Sequence, residues 1–287
     1  MFRVHVLLPR QDAERLSDLL AGLDPSPASA VSMEEVSKTS WSLDAFCTGE
    51  TEANEAASII AREILGGRAS VLKLDDKDWV AESLAGLPAV HAGPFVVAGA
   101  HELAKVSPGK IPVWIEAGPA FGTGHHGTTR GCLEALAHEL KRKTPARVLD
   151  IGTGSGVLAI AAVKAGAGFA LGTDLDADSI RIAKENARNN AAGRRLKLLH
   201  AAGAGHSVIR AGAPYDLVLA NILARPLVRL APDISKLMSI GGRVILSGLL
   251  SHQEPQVKAA YAGQGLDLVR RRRLNGWSTL TYARRRQ

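Results

Sequence analysis

The 287-residue sequence predicts an α/β protein in two parts: a small α+β, ferredoxin-like domain over residues 1–75 and a seven-stranded, Rossmann-like domain over residues 111–287, joined by a linker at 76–110. Three observations predict it. The first quarter carries strand and helix patterns in the order βαββαβ. From about residue 111, short apolar runs alternate with helical periodicity. The chain then closes on two strand-like runs with no helix between them.

Residues 2–8 alternate like a strand, and 11–21 place Ala13, Leu16, Leu19 and Leu20 at helical spacing. Strand-like runs at 30–37 and 41–48 follow, then a helix around 52–65 carrying Ala56, Ile59, Ile60 and Ile64 and closed by Gly66-Gly67, then the short run Val71 to Leu74. This is the split βαβ order of a ferredoxin-like domain, a fold that hosts many functions. The linker carries a short helical stretch about Trp79. Its breaks at Gly93-Pro94 and Ser107-Pro108-Gly109 frame one apolar run, Pro94 to Ala98, which reads as connector rather than core.

In the last part, strand candidates at 147–151, 169–173, 196–200, 216–222 and 243–250 are separated by helical stretches at 157–165, 178–191, 224–238 and 252–263, the signature of a doubly wound sheet. The runs 266–273 and 277–283 must pair antiparallel through a tight turn at Asn275-Gly276. A parallel sheet ending in an antiparallel pair is the arrangement of seven-stranded methyltransferases rather than of dinucleotide dehydrogenases.

Composition narrows the class further. Apolar residues make up 46% and charged residues 22%, enough to bury a core. No run approaches the roughly 20 apolar residues needed to cross a bilayer, and Met1-Phe2-Arg3-Val4-His5 lacks the layout of an export signal, so a cytoplasmic protein with no membrane partner is expected. Cys47 and Cys132 fit neither a disulfide framework nor a zinc site and read as core-filling residues. The net charge of +7 owes much to Arg270–Arg273 and Arg284–Arg286, read as a solvated edge strand and tail. Those clusters lack the interleaved aromatic residues on which single strands stack, so direct nucleic-acid binding is not expected. Nothing in the sequence sets an oligomeric state.

The chemistry concentrates at Asp150-Ile151-Gly152-Thr153-Gly154-Ser155-Gly156. After the strand the chain must turn sharply, and Gly152, Gly154 and Gly156 remove side chains that would keep a ligand from the backbone. A NAD site uses the same device, with a pyrophosphate at the helix start. The strand instead ends in Asp150, where a carboxylate can accept hydrogen bonds from turn amides or reach toward an ammonium; S-adenosylmethionine carries such a group and NAD does not. Asp174, 22 residues beyond Gly152, stands at the end of the second strand, where a carboxylate can hold both ribose hydroxyls. Helix capping falls to Asp176 or Asp178 instead. The third strand runs into Ala201-Ala202-Gly203 with no acid, which leaves adenine contacts to the backbone.

Upstream, Glu116 to Thr129 is too glycine-rich for regular structure and leads into the helix Cys132-Leu133-Leu136-Leu140. Thr128 or Thr129 can cap that helix, leaving the other hydroxyl for a ligand. His125 and His126 are neighbours that point different ways, with no third ligand at metal spacing, so no metal site is expected.

Together with Gly152 to Ile160, Asp174-Leu175-Asp176, Ala220-Asn221-Ile222-Leu223-Ala224 and Leu246 to Leu250, the segment Ala120-Phe121-Gly122-Thr123-Gly124, His126, Thr128-Thr129 resembles the bacterial ribosomal protein L11 methyltransferase (PrmA) family, most clearly over residues 111–283. The resemblance implies an S-adenosylmethionine-dependent enzyme whose small first domain recognises the ribosomal protein. Family cofactor positions carry over onto Thr129, Gly152, Asp174 and Asn221. The implied activity is transfer of methyl groups to amino groups of L11, lysine side chains or the N-terminal amine.

Asn221 ends the fourth strand, at the edge where ligands bind in open α/β sheets, and is the leading catalytic candidate. His126 is a second, lining the acceptor channel. Two alternatives stay open: an RNA or small-molecule methyltransferase on the same cofactor domain, and a cofactor-binding module without catalysis. Asn221-Ile222-Leu223-Ala224 lacks the Asn-Pro-Pro-aromatic element that clamps a flipped adenine, which favours an amine acceptor.

Overall fold

Alternation of apolar and polar residues, interrupted at Leu7 and Phe46, builds the first sheet. The computed structural model describes residues 2–23, 25–37, 39–64, 69–73, 89–115 and 127–285, and the chain divides into the units Met1–Asp78 and Trp79–Gln287. The short helix expected about Trp79 and the segment 116–126, including His126, lie outside the described residues.

In the first unit, β1 (Phe2–Leu8), α1 (Arg10–Gly22), β2 (Ala30–Ser37), β3 (Ser40–Cys47), α2 (Glu50–Glu63) and β4 (Ser70–Lys73) form an antiparallel sheet of order β2-β3-β1-β4 with two helices. Val4 and Val6 of β1 pair with Ala45 and Leu43 of β3, and all four are buried along with Leu16, Leu20, Ala56 and Ile60 of the helices. Every second residue on a strand shares a face, so the other face takes Arg3, His5 and Asp44. There Asp44 Oδ1 lies 2.9 Å from His5 Nδ1 and 3.3 Å from Arg3 Nε.

The second unit opens with β5 (Val90–Ala92), β6 (Phe95–Ala98), the one-turn helix α3 (Ala100–Leu103) and β7 (Ile111–Trp114), joined in a three-stranded sheet of order β5-β6-β7. This corrects the reading of Pro94 to Ala98 as connector. Phe95, Val96, Val97 and Ala98 are all buried, and Phe95 and Val97 share a core with Ala92, Val113 and Ile115. The Gly93-Pro94 break is a hairpin turn with Gly93 at φ +62°, a conformation glycine adopts freely.

The main sheet follows: α4 (Gly127–Arg142), β8 (Arg147–Ile151), α5 (Val157–Lys164), β9 (Phe169–Asp174), α6 (Ala177–Asn189), β10 (Leu196–His200), α7 (Ser207–Gly212), β11 (Tyr215–Asn221), α8 (Ala224–Leu237), β12 (Met238–Leu250), α9 (Glu254–Ala262), β13 (Leu266–Leu274) and β14 (Trp277–Arg284). Its order is β10-β9-β8-β11-β12-β14-β13, with β10 to β12 parallel neighbours and β14 antiparallel to both β12 and β13. The turn joining β13 and β14 places Asn275 at φ 50° and Gly276 at φ 81°, as a tight two-residue hairpin requires.

Central parallel strands are covered on both faces and therefore apolar throughout. Val148, Leu217 and Ile245 face the core under α4 and α5; Leu149, Val218 and Leu246 face the one under α8 and α9. Six-residue α7 escaped the sequence reading because it is too short to show a period. Among the described residues no helix is long and apolar enough to cross a membrane.

Candidate cofactor and active site

The site gathers at the carboxyl ends of the parallel strands. Gly152, Gly154 and Gly156 stand at φ +69°, +52° and +84°, a left-handed path that side-chain-bearing residues avoid. The turn is held from several sides: Thr153 N donates to Thr173 O at 2.9 Å, Gly156 N to Thr153 O at 2.8 Å, and the buried Asn186 Nδ2 of α6 to Ser155 O at 2.9 Å. A Cβ on Gly152 would stand 2.3 Å from Ile222 Cγ2, so the residue after Asn221 packs directly over the turn.

Asp150 ends β8 almost fully buried, at 1% exposure. Its Oδ2 accepts from the Thr153 hydroxyl at 2.7 Å and from Ala159 N at 3.2 Å, while Oδ1 has no partner among the described residues. The hydrogen bonds to Asp150 thus come from Thr153 and from the start of α5 rather than from the glycine amides. Burial pushes this carboxyl up to about 7, against the pull of those two hydrogen bonds, and the charge of Asp174 adds to the rise. The Cys132 thiol, also fully buried, is pushed above its ordinary value by the same desolvation.

Asp174 ends β9 half-buried. Its Oδ2 accepts from Gly154 N at 2.8 Å and its Oδ1 from Asp176 N at 3.1 Å, so the carboxylate already rests against the glycine turn. Capping of α6 is done by Asp176, which accepts from Asp178 N and Ser179 N. Each Asp174 oxygen keeps a further lone pair for a ligand hydroxyl.

Helix α4 begins at Gly127, so Thr128 and Thr129 lie inside its first turn, which corrects the expectation that one of them caps it. Both are buried. Asn221 Nδ2 donates to Thr129 Oγ1 at 3.4 Å, bringing together two sequence-predicted residues 92 positions apart. The N-cap of α8 is Leu223, so Asn221 stands outside the cap as well.

The sequence reading missed the supports. Gly248, at φ +84°, leaves room for the backbone of Ile222: a Cβ there would stand 2.3 Å from Ile222 O. Gly172 similarly makes space for Thr153, whose Oγ1 would lie 2.9 Å from a Cβ. An isolated glycine inside a strand pattern is the signal for such close approach.

A mixed sheet of this order, with a glycine turn between two strand-end carboxylates, defines a methyltransferase of the S-adenosylmethionine-dependent class. Residues 5–285 match the model of the family described as ribosomal protein L11 methyltransferase (PrmA). The chain belongs to this family. It is 45% identical over 280 residues to a ribosomal protein L11 methyltransferase of Caulobacter sp. (strain K31), covering 96% of this chain and 95% of the relative. To the protein of that name from Bradyrhizobium diazoefficiens it is 53% identical over 208 residues, covering 72% of this chain and 70% of the other. Among solved structures, the ribosomal protein L11 methylase of Lactobacillus delbrueckii subsp. bulgaricus superposes with a TM-score of 0.62 at 29% identity, over 70% of this chain and all of that one.

Proposed function

We propose that this chain methylates amino groups of ribosomal protein L11, lysine side chains or the N-terminal amine, with S-adenosylmethionine as donor. In this reading residues 111–287 are the Rossmann-like catalytic domain. The four-stranded unit, whose strand order is that of ferredoxin-like domains, recognises the protein substrate. The observation that carries the proposal is the left-handed glycine turn set between Asp150 and Asp174.

The residues present suit the cofactor. Among the described residues Asp150 Oδ1 is a buried acceptor without a partner, and an ammonium brought within reach, directly or through water, would satisfy it. Asp174 would hold the ribose hydroxyls, and Gly152, Gly154 and Gly156 would let the ligand lie against the main chain. Thr128 and Thr129 would line its far side. When bound, S-adenosylmethionine supplies an electrophilic methyl carbon on a good leaving group. The protein's work is then alignment and exclusion of water.

A lysine ammonium, with a pKa near ~10.4, has no lone pair until it loses a proton, and burial beside a positive centre favours the neutral amine. Asn221 spends its amide N–H on Thr129, which turns its oxygen away as an acceptor for an amine hydrogen and so aims the lone pair. Solvent takes the released proton. His126 would border the acceptor's path.

Two measurements test the reading. Calorimetry with S-adenosylhomocysteine against NAD should show binding of the former alone. Labelled methyl transfer to purified L11, compared with RNA and with L11 whose amines are blocked, should give label in the unblocked protein only; label in RNA overturns the proposal.

A further inference from the structure

The run Arg270–Arg273 does not stand as one solvated cluster. A register shift between Leu268 and Arg270, a β-bulge in the edge strand β13, resets which face each following side chain takes. Beyond it the arginines alternate. Arg271 and Arg273 turn to Glu254 of α9, at 3.7 Å and 2.7 Å, where they share one buried carboxylate. Arg272 pairs with Glu134 of α4 on the opposite face, and Arg270, two residues away, shares that face.

There Arg270 lines an open groove of about 470 Å³ with His138 and Lys141 of α4 and with Lys110 from the turn before β7. Lys110 Nζ donates to Gly93 O at 3.0 Å on the rim. Among the described residues Arg270 and Lys141 have neither a hydrogen bond nor an ion pair. Glu134, the carboxylate in the lining, is already shared by Arg130 and Arg272. The groove therefore presents cations that the protein itself does not neutralise.

We infer that this groove docks the phosphodiester backbone of double-stranded RNA. Its cations come from three separate elements, β13, α4 and the turn at 108–110, and so suit charges spread along a polymer better than one small ion. Among the described residues no Phe, Tyr or Trp lines it, so these offer none of the stacking that holds single strands. A duplex is held by charge and shape and needs none. Lys141 lies twelve residues beyond Thr129 on the same helix, roughly 18 Å along its axis, which separates the groove from the methyl-transfer site.

The test is fluorescence polarisation of the full chain with a labelled RNA duplex of about 20 base pairs, titrated between about 50 and 200 mM salt. The Arg270→Glu/Lys141→Glu variant should bind roughly tenfold more weakly and with a salt slope shallower by about 1.5, the mark of two lost phosphate contacts. Methylation of L11 by that variant should match the wild type. The control Arg181→Glu/Lys184→Glu on α6, with the same change in net charge, should bind within about twofold of wild type. The inference fails if the control loses as much affinity, if single-stranded RNA or polyglutamate of equal length binds as tightly as the duplex, or if the wild type does not bind duplex at all.

Discussion

The two ends of the main sheet are made from the same strands and finished in opposite ways. At the amino ends, Asp216 accepts from Ala146 N at 2.9 Å and Arg147 N at 3.1 Å, and Arg147 reaches Gly212 O. Beside them Glu139 holds both Arg142 and Arg243. Each of these side chains meets a partner of its own chain. At the carboxyl ends, Asp150 keeps one oxygen without a partner among the described residues, three glycines in five residues run left-handed, and Asn221 makes a long hydrogen bond to Thr129. A buried carboxylate oxygen left unmet beside left-handed backbone is tolerated where a ligand completes it.

The sharpest break in that contrast comes from Asn221. Asn221→Ala should lower turnover on L11 by on the order of 10²–10³-fold, the scale of losing a positioned hydrogen-bonding group. The dissociation constant for S-adenosylhomocysteine should move little. Unchanged turnover would remove Asn221 from the alignment of the amine.

Next in size is Gly248→Ala, whose new Cβ would meet the Ile222 backbone at 2.3 Å. Urea unfolding should show a loss of about 2–3 kcal/mol. Gly193→Ala, where nothing lies within 4 Å, should stay within about 0.5 kcal/mol of wild type.

Asp150 gives a pH-dependent effect. Its folded-state pKa of about 7 lies above the ordinary carboxylate value, so the folded chain favours the protonated form. That contribution to stability is fully present below about pH 4 and is lost as pH rises through about 7. Asp150→Asn cannot ionise, so its melting temperature relative to wild type should improve from pH 5 to pH 8, by the equivalent of about 2–3 kcal/mol. Affinity of the wild type for S-adenosylhomocysteine should rise through the same window as the carboxylate becomes available to the ammonium, and the variant's should stay flat.

The smallest effect belongs to the opposite end. Asp216→Ala removes a half-buried acceptor from two strand-end amides and should cost about 0.5–1 kcal/mol in thermal unfolding, with kcat unchanged.

Most of the sheet was legible because its signals are local. A buried parallel strand is an apolar run, and the spacing from Gly152 to Asp174 is simply strand, helix and strand. The site's glycines and its two carboxylates were readable for the same reason. What eluded sequence reading depends on long-range approach: Ile222 over Gly152, Gly248 beneath Ile222, and Thr129 against Asn221. Pro94 to Ala98 misled because a four-residue strand between Gly-Pro breaks is too short to show a period. Only its burial against α4 and α5 identifies it. The threonines misled by a smaller margin, since a helix start is uncertain by a residue or two in any sequence.

The bulged, arginine-bearing strand β13 has one more consequence. It is the last strand of the sheet and leaves a row of main-chain groups facing outward, the kind of border along which proteins stick to one another and grow into fibrils. Charge along that border, and the kink that interrupts its line, make a second molecule's strand a poor fit there.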